Sequence, residues 1–457
     1  MATRELTTSV RSGAPAAAII AGNVVLVALL MVVRGPVPVL LALLVAAPII
    51  GIGAYALVQR PQRGVLLLAA LVPFHGLGLI IPFPGAWKEG LIAATLAATF
   101  LAPAEARGGR RRLPNWVPVV AAFVLLGTVS SLFVSPLQAA TGLKVTFFSI
   151  LVALIVWRCP LDERERDRLV TILMVVGFVT AVVGLAQQVV GDVALNNLGY
   201  EYNRTIRFSG GFLRSYSTFS LNFPFALFLT LVMLLGIPLA LEEPKRRRSQ
   251  LFLAGLPVLL LAQLFTLTRA GWLGLAAGLI YLAITRIRSL AVAFAHAAAI
   301  ALIALLLAGA FGSALLSSSS SEERFDQWAD HVSEIAANPL GAGIGSTGSA
   351  GAKAVELAGG DPEGVFQPDN YYFKITFELG VVGLWLLGLL FATTLSSTHG
   401  AAKRLSGRDG ALAAGVTASI VAAIVVSVVA TYFEIFPMDV YFWMLLAIVA
   451  TCVHESR

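Results

Sequence analysis

The chain has 457 residues, of which 58% are hydrophobic and only 12% are charged. Soluble domains carry about twice that charged fraction, so the composition excludes a soluble enzyme and indicates a polytopic membrane protein. The net charge of +7 does not indicate nucleic-acid binding, because basic residues also mark the cytoplasmic loops of membrane proteins.

Long apolar segments run through the whole chain. A helix needs about 20 mostly apolar residues to cross a bilayer, and about 14 segments approach that length. We therefore predict an all-α polytopic membrane protein with about 12–14 transmembrane helices. The first apolar run is long enough to span, which favours a retained helix over a cleaved signal peptide. The segments lie near residues 15–33, 37–58, 64–81, 87–103, 116–134, 142–157, 170–190, 223–241, 251–266, 271–285, 290–311, 380–397, 411–431 and 440–453.

The basic clusters between these segments all fall on one side of the predicted membrane. They are QRPQR, RGGRRR, RCPLDERERDR, PKRRR, RIR and KRLSGR. The positive-inside rule makes that side the cytoplasm and predicts that both termini are cytoplasmic.

On this topology the chain divides into four regions. Residues 1–165 form N-terminal transmembrane helices, and residues 166–311 form a core with a long outer loop at 191–222. Residues 312–379 form a large extracytoplasmic loop, and residues 380–457 form the C-terminal helices.

The large loop contains RFDQWADHVSEIAANPLGAGIG. Apolar residues at helical spacing, among them Phe325, Trp328 and Val332, predict an amphipathic helix on the membrane surface or in a lid. The glycines that follow predict a loop whose hinges allow the lid to open.

The outer loops hold few basic residues, and these are mostly arginines. A planar guanidinium can pair two oxygens at once, so it suits a doubly anionic group such as a diphosphate. Alternatively, the arginines bind lipid headgroups or pair with the loop's own acidic residues. The arginines concerned are Arg204, Arg207, Arg214, Arg269 and Arg324.

Several other chemistries lack a signature. The chain has no phosphate-binding Gly loop ending in Lys-Ser/Thr, no DxD motif, and GAGIGS does not follow a strand. Two cysteines and five scattered histidines give little support for a metal, so no cofactor is predicted. The predicted spans hold no deep carboxylates, which weakens a proton-driven transporter. An enzyme without ATP at the outer face needs a donor that is already activated, such as a lipid-linked diphosphate sugar.

Four segments together resemble the O-antigen ligase and polymerase superfamily. TLTRAGWLGLAAGLI is similar to its Thr-Leu-(Ser/Thr)-Arg motif, and RFDQWADHVSEIAANPLGAGIGS to its Arg-x-x-x-Trp and Asn/His-Pro-Leu-x-Gly-x-Gly pattern. PDNYYFKITFELGVVGLWLL resembles the family's return into the membrane, and GLAQQVVG with RFSGGFLRSYSTFSLNFPFALFL resembles its upstream core. The resemblance covers roughly residues 170–455.

This family implies a fold, an activity and a location. Its members are metal-independent membrane glycosyltransferases of the GT-C type in the bacterial cytoplasmic (inner) membrane. They take glycans from undecaprenyl diphosphate at the outer face, so the implied partners are that donor, a glycan or lipid acceptor and membrane lipids, without nucleic acid. Arg269 would hold the diphosphate, with Arg207, Arg214 and Arg324 as companions.

The resemblance also suggests residues for the acceptor side. Ligases commonly have a histidine where this chain has Asp369. The base that accepts the proton of the acceptor hydroxyl would then be either Asp369 or a displaced His331. The alternatives are that Asp369 caps the next helix and that His331 is a surface residue. Glu378 is a third candidate, either for chemistry or for orienting the loop. The residues expected to orient the glycan or the loop are Trp328, Asn370 and Tyr371.

An Asp-Asn pair at this place favours a polymerase that joins glycan repeat units. The alternatives are a ligase that transfers glycan to a lipid, protein or wall acceptor, a flippase for lipid-linked glycans, and a non-catalytic scaffold. A flippase would line its cavity with polar residues from many helices, whereas here the charges gather in the outer loops.

Overall fold

The computed structural model describes residues 51–81, 84–109, 111–286, 332 and 335–455. These ranges are mostly helical and contain one small β-hairpin. In chain order the elements are α1 (Gln62–Leu71), continued by a 3-10 helix (Val72–Leu79), α2 (Trp87–Leu101), α3 (Val117–Ser130), α4 (Pro136–Phe147), α5 (Ile150–Arg158), α6 (Glu163–Asn197), β1 (Phe208–Ser209), β2 (Phe212–Leu213), α7 (Asn222–Glu242), α8 (Arg247–Phe265), α9 (Arg269–Thr285), α10 (Gly348–Leu357), α11 (Tyr371–Arg404), α12 (Gly407–Val426) and α13 (Met438–Glu455).

The prediction of an all-α polytopic membrane protein is confirmed. Within the described ranges, 7 helices are long and apolar enough to cross a membrane, or 8 if the bent pair α4 and α5 is one span. Two further apolar helices, at Val117–Phe133 and Arg269–Thr285, are shorter. Every predicted segment that lies in these ranges overlaps a helix. The segments near 15–33 and 290–311, and most of 37–58, lie outside the described residues.

Helix α7 is the centre of the bundle. Its sequence is apolar on every side, which is typical of a helix surrounded by others, and 94% of its most apolar window is buried. Phe225, Phe228 and Leu229 are fully enclosed by neighbouring side chains. Helices α8, α9 and α12 pack against α7.

The basic helix ends meet at one face of the bundle. Arg166 pairs with Asp409 at 3.1 Å and with Glu455 at 2.7 Å, which joins the starts of α6 and α12 to the end of α13. Arg408 contacts Glu243 at 2.9 Å, so the end of α7 is part of the same network. These contacts agree with the predicted alternation, because they connect loops that the sequence assigned to one side.

Two helices continue through a glycine kink. Helix α6 continues through Gly191 to Asn197, and α11 begins at Tyr371 and continues through Gly380. Both glycines have a positive φ, of 78° and 68°, so the chain changes direction and then resumes a helix. A glycine in an apolar run therefore marks a kink here rather than the end of the helix.

Candidate active site at the end opposite the basic face

Arg269 is the first residue of α9, and the residue is exposed. The turn before it is buried, and Leu267 has a φ of 48°, which is unusual for a residue with a large side chain. The amide of Asn222 donates to the Thr268 hydroxyl at 2.7 Å and to the Thr266 carbonyl at 3.3 Å. This buried, hydrogen-bonded turn therefore fixes the position of the Arg269 backbone. The turn itself carries backbone strain.

Arg214 reaches the same turn from the outer loop. Its Nη2 donates to the Leu267 carbonyl at 3.1 Å, and its guanidinium lies 5.8 Å from the Phe223 ring. The backbone amide of Arg214 donates to the Arg207 carbonyl at 2.9 Å, and the Arg207 side chain is exposed. The structure therefore connects Arg207, Arg214 and Arg269 through one turn and one hairpin.

Two consecutive glutamines of α6 hold the loop that carries Arg214. Gln187 Oε1 accepts from the amides of Tyr216 (3.1 Å) and Ser217 (2.8 Å), and its Nε2 donates to the Ser217 carbonyl at 2.9 Å. Gln188 Nε2 donates to the Ser215 hydroxyl at 2.7 Å. These hydrogen bonds give a physical reason for the two glutamines in GLAQQVVG, because the backbone groups of a buried loop need hydrogen-bond partners.

Replacing Gln187 by leucine should loosen this loop. The substitution leaves buried backbone groups of residues 216 and 217 unpaired, and each such group costs about 1–3 kcal/mol. We expect a lower thermal unfolding temperature and faster proteolysis in the loop, measured on purified protein in detergent. Val189→Ala is the matched control, since Val189 lies on the same helix and is 90% exposed. Equal stability of both variants would contradict the role of Gln187.

The glycine-rich segment NPLGAGIGS packs into the kink of α11. The amides of Ala342 and Gly343 donate to the carbonyls of Phe377 (2.8 Å) and Glu378 (3.0 Å). A Cβ on Gly341 would lie 2.4 Å from the Glu378 carbonyl oxygen. This close approach is typical of a packing contact between the loop and the kink.

Gly341→Ala should therefore prevent the loop from docking. Gly341 has a φ of 90°, and the added methyl group would also collide with backbone. Gly359→Ala is the matched control, because Gly359 has a φ of 79° but nothing lies within 4 Å of its added Cβ. Left-handed strain alone costs about 1–2 kcal/mol, and we expect Gly341→Ala to lose clearly more stability than that. If the two variants unfold alike, strain rather than packing explains this glycine.

A buried ionic cluster lies beneath the glycine-rich segment. Lys374 Nζ contacts Glu378 Oε1 at 2.5 Å and Glu434 Oε1 at 3.1 Å, and the side chains of Lys374 and Glu378 are each 1% exposed. Glu378 Oε1 also accepts from the Thr347 amide (3.1 Å) and hydroxyl (3.0 Å). Glu378 thus holds the start of α10 against α11.

The candidates at the start of α11 have different environments. Asn370 Oδ1 accepts from the Phe373 amide at 3.0 Å, so Asn370 caps the helix and the expectation that Asp369 caps it is wrong. Asp369 lies one residue before the cap and is exposed. Tyr371 is buried, and its amide donates to the Ser427 carbonyl at 2.8 Å. The helix start is therefore held rigidly while Asp369 faces outward.

Three candidates, Arg324, Trp328 and His331, lie outside the described residues, as does most of the predicted amphipathic helix. Lys374 and Glu434 of the buried cluster were not among the residues predicted from the sequence. They lie in different segments, and no local motif joins them. The side chains of Glu378 and Glu434 are 1% and 6% exposed, although both residues lie outside the predicted spans.

The arrangement has groups that can bind an anion and a group that can accept a proton. Arg269, the exposed Arg207 and the half-buried Arg214 are connected through one rigid turn and can carry a diphosphate, because preorganised donors lose little entropy when the anion binds. A carboxylate on the surface of the same end of the bundle can accept a proton from a hydroxyl group.

Comparison with known proteins agrees with the resemblance drawn from the sequence motifs. Residues 254–388 match the family model described as O-antigen ligase. The matched range contains Arg269, the glycine-rich segment and the start of α11. A search of curated proteins finds no match to the chain. The resemblance to the O-antigen ligase and polymerase superfamily is therefore confirmed over this segment.

Proposed function

We propose that this chain, whose residues 254–388 carry the O-antigen ligase domain, is a membrane glycosyltransferase that polymerises glycan repeat units. Its donor would be a polyprenyl (undecaprenyl) diphosphate-linked glycan at the outer face of the bacterial cytoplasmic membrane. The reaction would need no metal and would invert the anomeric configuration.

One observation carries the proposal: arginines converge on the strained turn before Arg269. Arg214 donates to Leu267 within this turn, and the turn lies inside the matched domain. The basic network of Arg166 and Arg408 occupies the opposite end of the bundle. The positive-inside rule then assigns the network to the cytoplasm and the Arg269 end to the outside.

An apolar cavity supports a lipid-linked donor. It has a volume of about 360 Å³, is lined largely by apolar residues such as Leu71, Phe74 and Leu77, and borders Ser220. Ser220 lies two residues before Asn222, which holds the Arg269 turn. A prenyl chain in this cavity would therefore leave the protein close to the arginines that would hold its diphosphate.

The chemistry follows from these positions. The acceptor hydroxyl oxygen forms a bond to the anomeric carbon of the donor while the bond from that carbon to the diphosphate oxygen breaks. The diphosphate keeps the electron pair, and Arg269, Arg214 and Arg207 would stabilise its charge. Electrostatic stabilisation of this kind is usually the largest single contribution to catalysis. Asp369 or His331 would accept the hydroxyl proton.

A ligase is the second candidate, because the matching family model is described as O-antigen ligase. The chemistry at the anomeric carbon is the same in both cases, and only the acceptor differs. A ligase would transfer one glycan to a lipid, protein or wall acceptor, whereas a polymerase would join two lipid-linked glycans.

The test is an assay of product length. Purified protein in nanodiscs receives a synthetic undecaprenyl diphosphate oligosaccharide, with and without a lipid acceptor, and products are read by mass spectrometry. The proposal predicts a ladder of repeat-unit multiples without added acceptor. A single transfer that requires the acceptor would identify a ligase, and an unchanged donor would contradict both candidates.

A further inference from the structure

A second polar site lies where the bundle is interrupted. Helices α4 and α5 meet at an angle of 50°, and the break falls at Phe148 and Ser149. A cavity of about 180 Å³ occupies the space beside this break, and it is lined also by Glu89, Glu434 and Asp439. Broken helices in membrane proteins occur where the backbone lines a cavity, so the bend and the cavity belong to one feature, which we name the bend cavity.

The charges in the bend cavity largely balance one another. Lys144 Nζ contacts Glu89 Oε1 at 2.8 Å. Lys374, which does not line the cavity, contacts Glu434 Oε1 at 3.1 Å. Lys88 Nζ lies 3.8 Å from the centre of the Phe436 ring. A diphosphate has a better site at the arginines, because here it would face carboxylates.

The cavity wall retains unused hydrogen-bonding capacity. Glu89 Oε2 and Asp439 Oδ1 are buried and have no hydrogen-bond partner among the described residues. Buried oxygens of this kind usually have a partner, so these two atoms point to a ligand or to water. The Lys144 side chain is 55% exposed, so the cavity opens to the surroundings at that residue.

A sugar ring has the chemistry that this wall needs. Carboxylates only accept and ammonium groups only donate, whereas each sugar hydroxyl both donates and accepts. Phe148, Phe433 and Phe436 line the cavity and add apolar surface for the C–H side of a ring. Pockets for drug-sized ligands measure about 300–1,000 Å³, so the smaller bend cavity suits one residue of a glycan.

We propose that the bend cavity binds one uncharged sugar residue of the glycan. This inference rests on the proposed function and deepens it, because it assigns a sugar site beside the catalytic end. Glu434 lines the cavity and also contacts Lys374, whose partner Glu378 holds the glycine-rich segment. A sugar in the cavity would thus sit against the same cluster that positions the loop before α11.

The test is saturation-transfer difference NMR on the full chain in lauryldimethylamine oxide, a detergent without a sugar headgroup. The probes are methyl β-glucoside, methyl β-N-acetylglucosaminide, methyl β-glucuronide and inorganic diphosphate. Wild type should bind the two uncharged glycosides and discriminate against the glucuronide. Glu89→Gln should weaken this binding about tenfold, equivalent to about 1.4 kcal/mol.

A second variant separates the cavity from its charges. Val145 lines the cavity, so Val145→Trp should fill it and abolish glycoside binding while leaving every carboxylate in place. Arg269→Ala is the control and should keep glycoside binding but lose diphosphate binding. Circular dichroism and thermal unfolding establish that each variant is folded.

The outcomes also separate this inference from the proposed function. Glycoside signals that survive in Val145→Trp and Glu89→Gln, or that are missing in wild type, would overturn the sugar site. Signals that depend on the cavity in a protein that transfers no glycan would leave the sugar site standing and contradict the glycosyltransferase. Glycan transfer by a protein whose glycoside signals do not depend on the cavity would overturn the sugar site and leave the glycosyltransferase standing.

Discussion

Replacing Arg269 by alanine is expected to lower the rate of glycan transfer about 100- to 1,000-fold, the loss typical of removing one preorganised charge-stabilising donor. Arg269 begins α9, and the buried turn held by Asn222 sets its backbone position. The substitution should therefore leave the fold intact and act on the diphosphate. Initial rates of product formation at saturating donor measure the effect.

Two further variants show whether the geometry of Arg269 matters. Arg269→Lys keeps the charge but loses the planar fork, so it should recover little of the lost rate if the diphosphate is gripped by two nitrogens. Arg204→Ala is the matched control, because Arg204 is an outer-loop arginine that is 72% exposed and pairs with Glu201. Full activity of Arg269→Lys would refute bidentate binding. An equal loss of rate in Arg204→Ala would show that the loss in Arg269→Ala reflects general surface charge.

Lys374→Met is expected to have the largest effect on stability. It leaves Glu378 and Glu434 buried without their cation, and breaking a buried ion pair in this way costs about 3–5 kcal/mol in the free energy of unfolding. Thermal unfolding followed by tryptophan fluorescence, together with yield from size-exclusion chromatography, measures the loss. Lys353→Met is the matched control, since Lys353 pairs with Glu356 at 2.9 Å on an exposed surface where such pairs contribute about 0–1 kcal/mol.

A compensating variant distinguishes charge from shape. Adding Glu378→Gln and Glu434→Gln to Lys374→Met removes the uncompensated carboxylates, so it should recover part of the lost stability. Recovery is incomplete because Glu378 also accepts two hydrogen bonds from Thr347, which an amide oxygen supports less strongly. Wild-type stability of Lys374→Met alone would show that the cluster does not hold the loop.

The sequence predicted the helices well because spanning helices need long apolar runs and basic residues mark one side. Helix α7, apolar on every side, is an example, and so is the network through Arg166 that joins the predicted inner loops. Kinks were harder to predict. Gly191 and Gly380 break the helix direction inside apolar runs, and hydropathy alone does not distinguish a kinked helix from a helix end.

The candidate site was predictable only where a local motif carried it. Arg269 stands out because an arginine between two apolar runs is costly without a partner anion. Lys374, Glu434 and Asp439 did not stand out, since their burial depends on segments that meet only in the folded bundle. Asn370 shows a third limit, because adjacent Asp and Asn residues are almost equally good helix caps, and only the geometry distinguishes them.

The most direct test of the central claim is release of undecaprenyl diphosphate from a synthetic glycan-linked donor by the purified chain in nanodiscs, with EDTA and without nucleotide. The account predicts that release and glycan transfer rise together in wild type, and that both fall in Arg269→Ala. Intact donor in every condition, together with donor that crosses the bilayer of vesicles containing the protein, would contradict the account and identify a flippase.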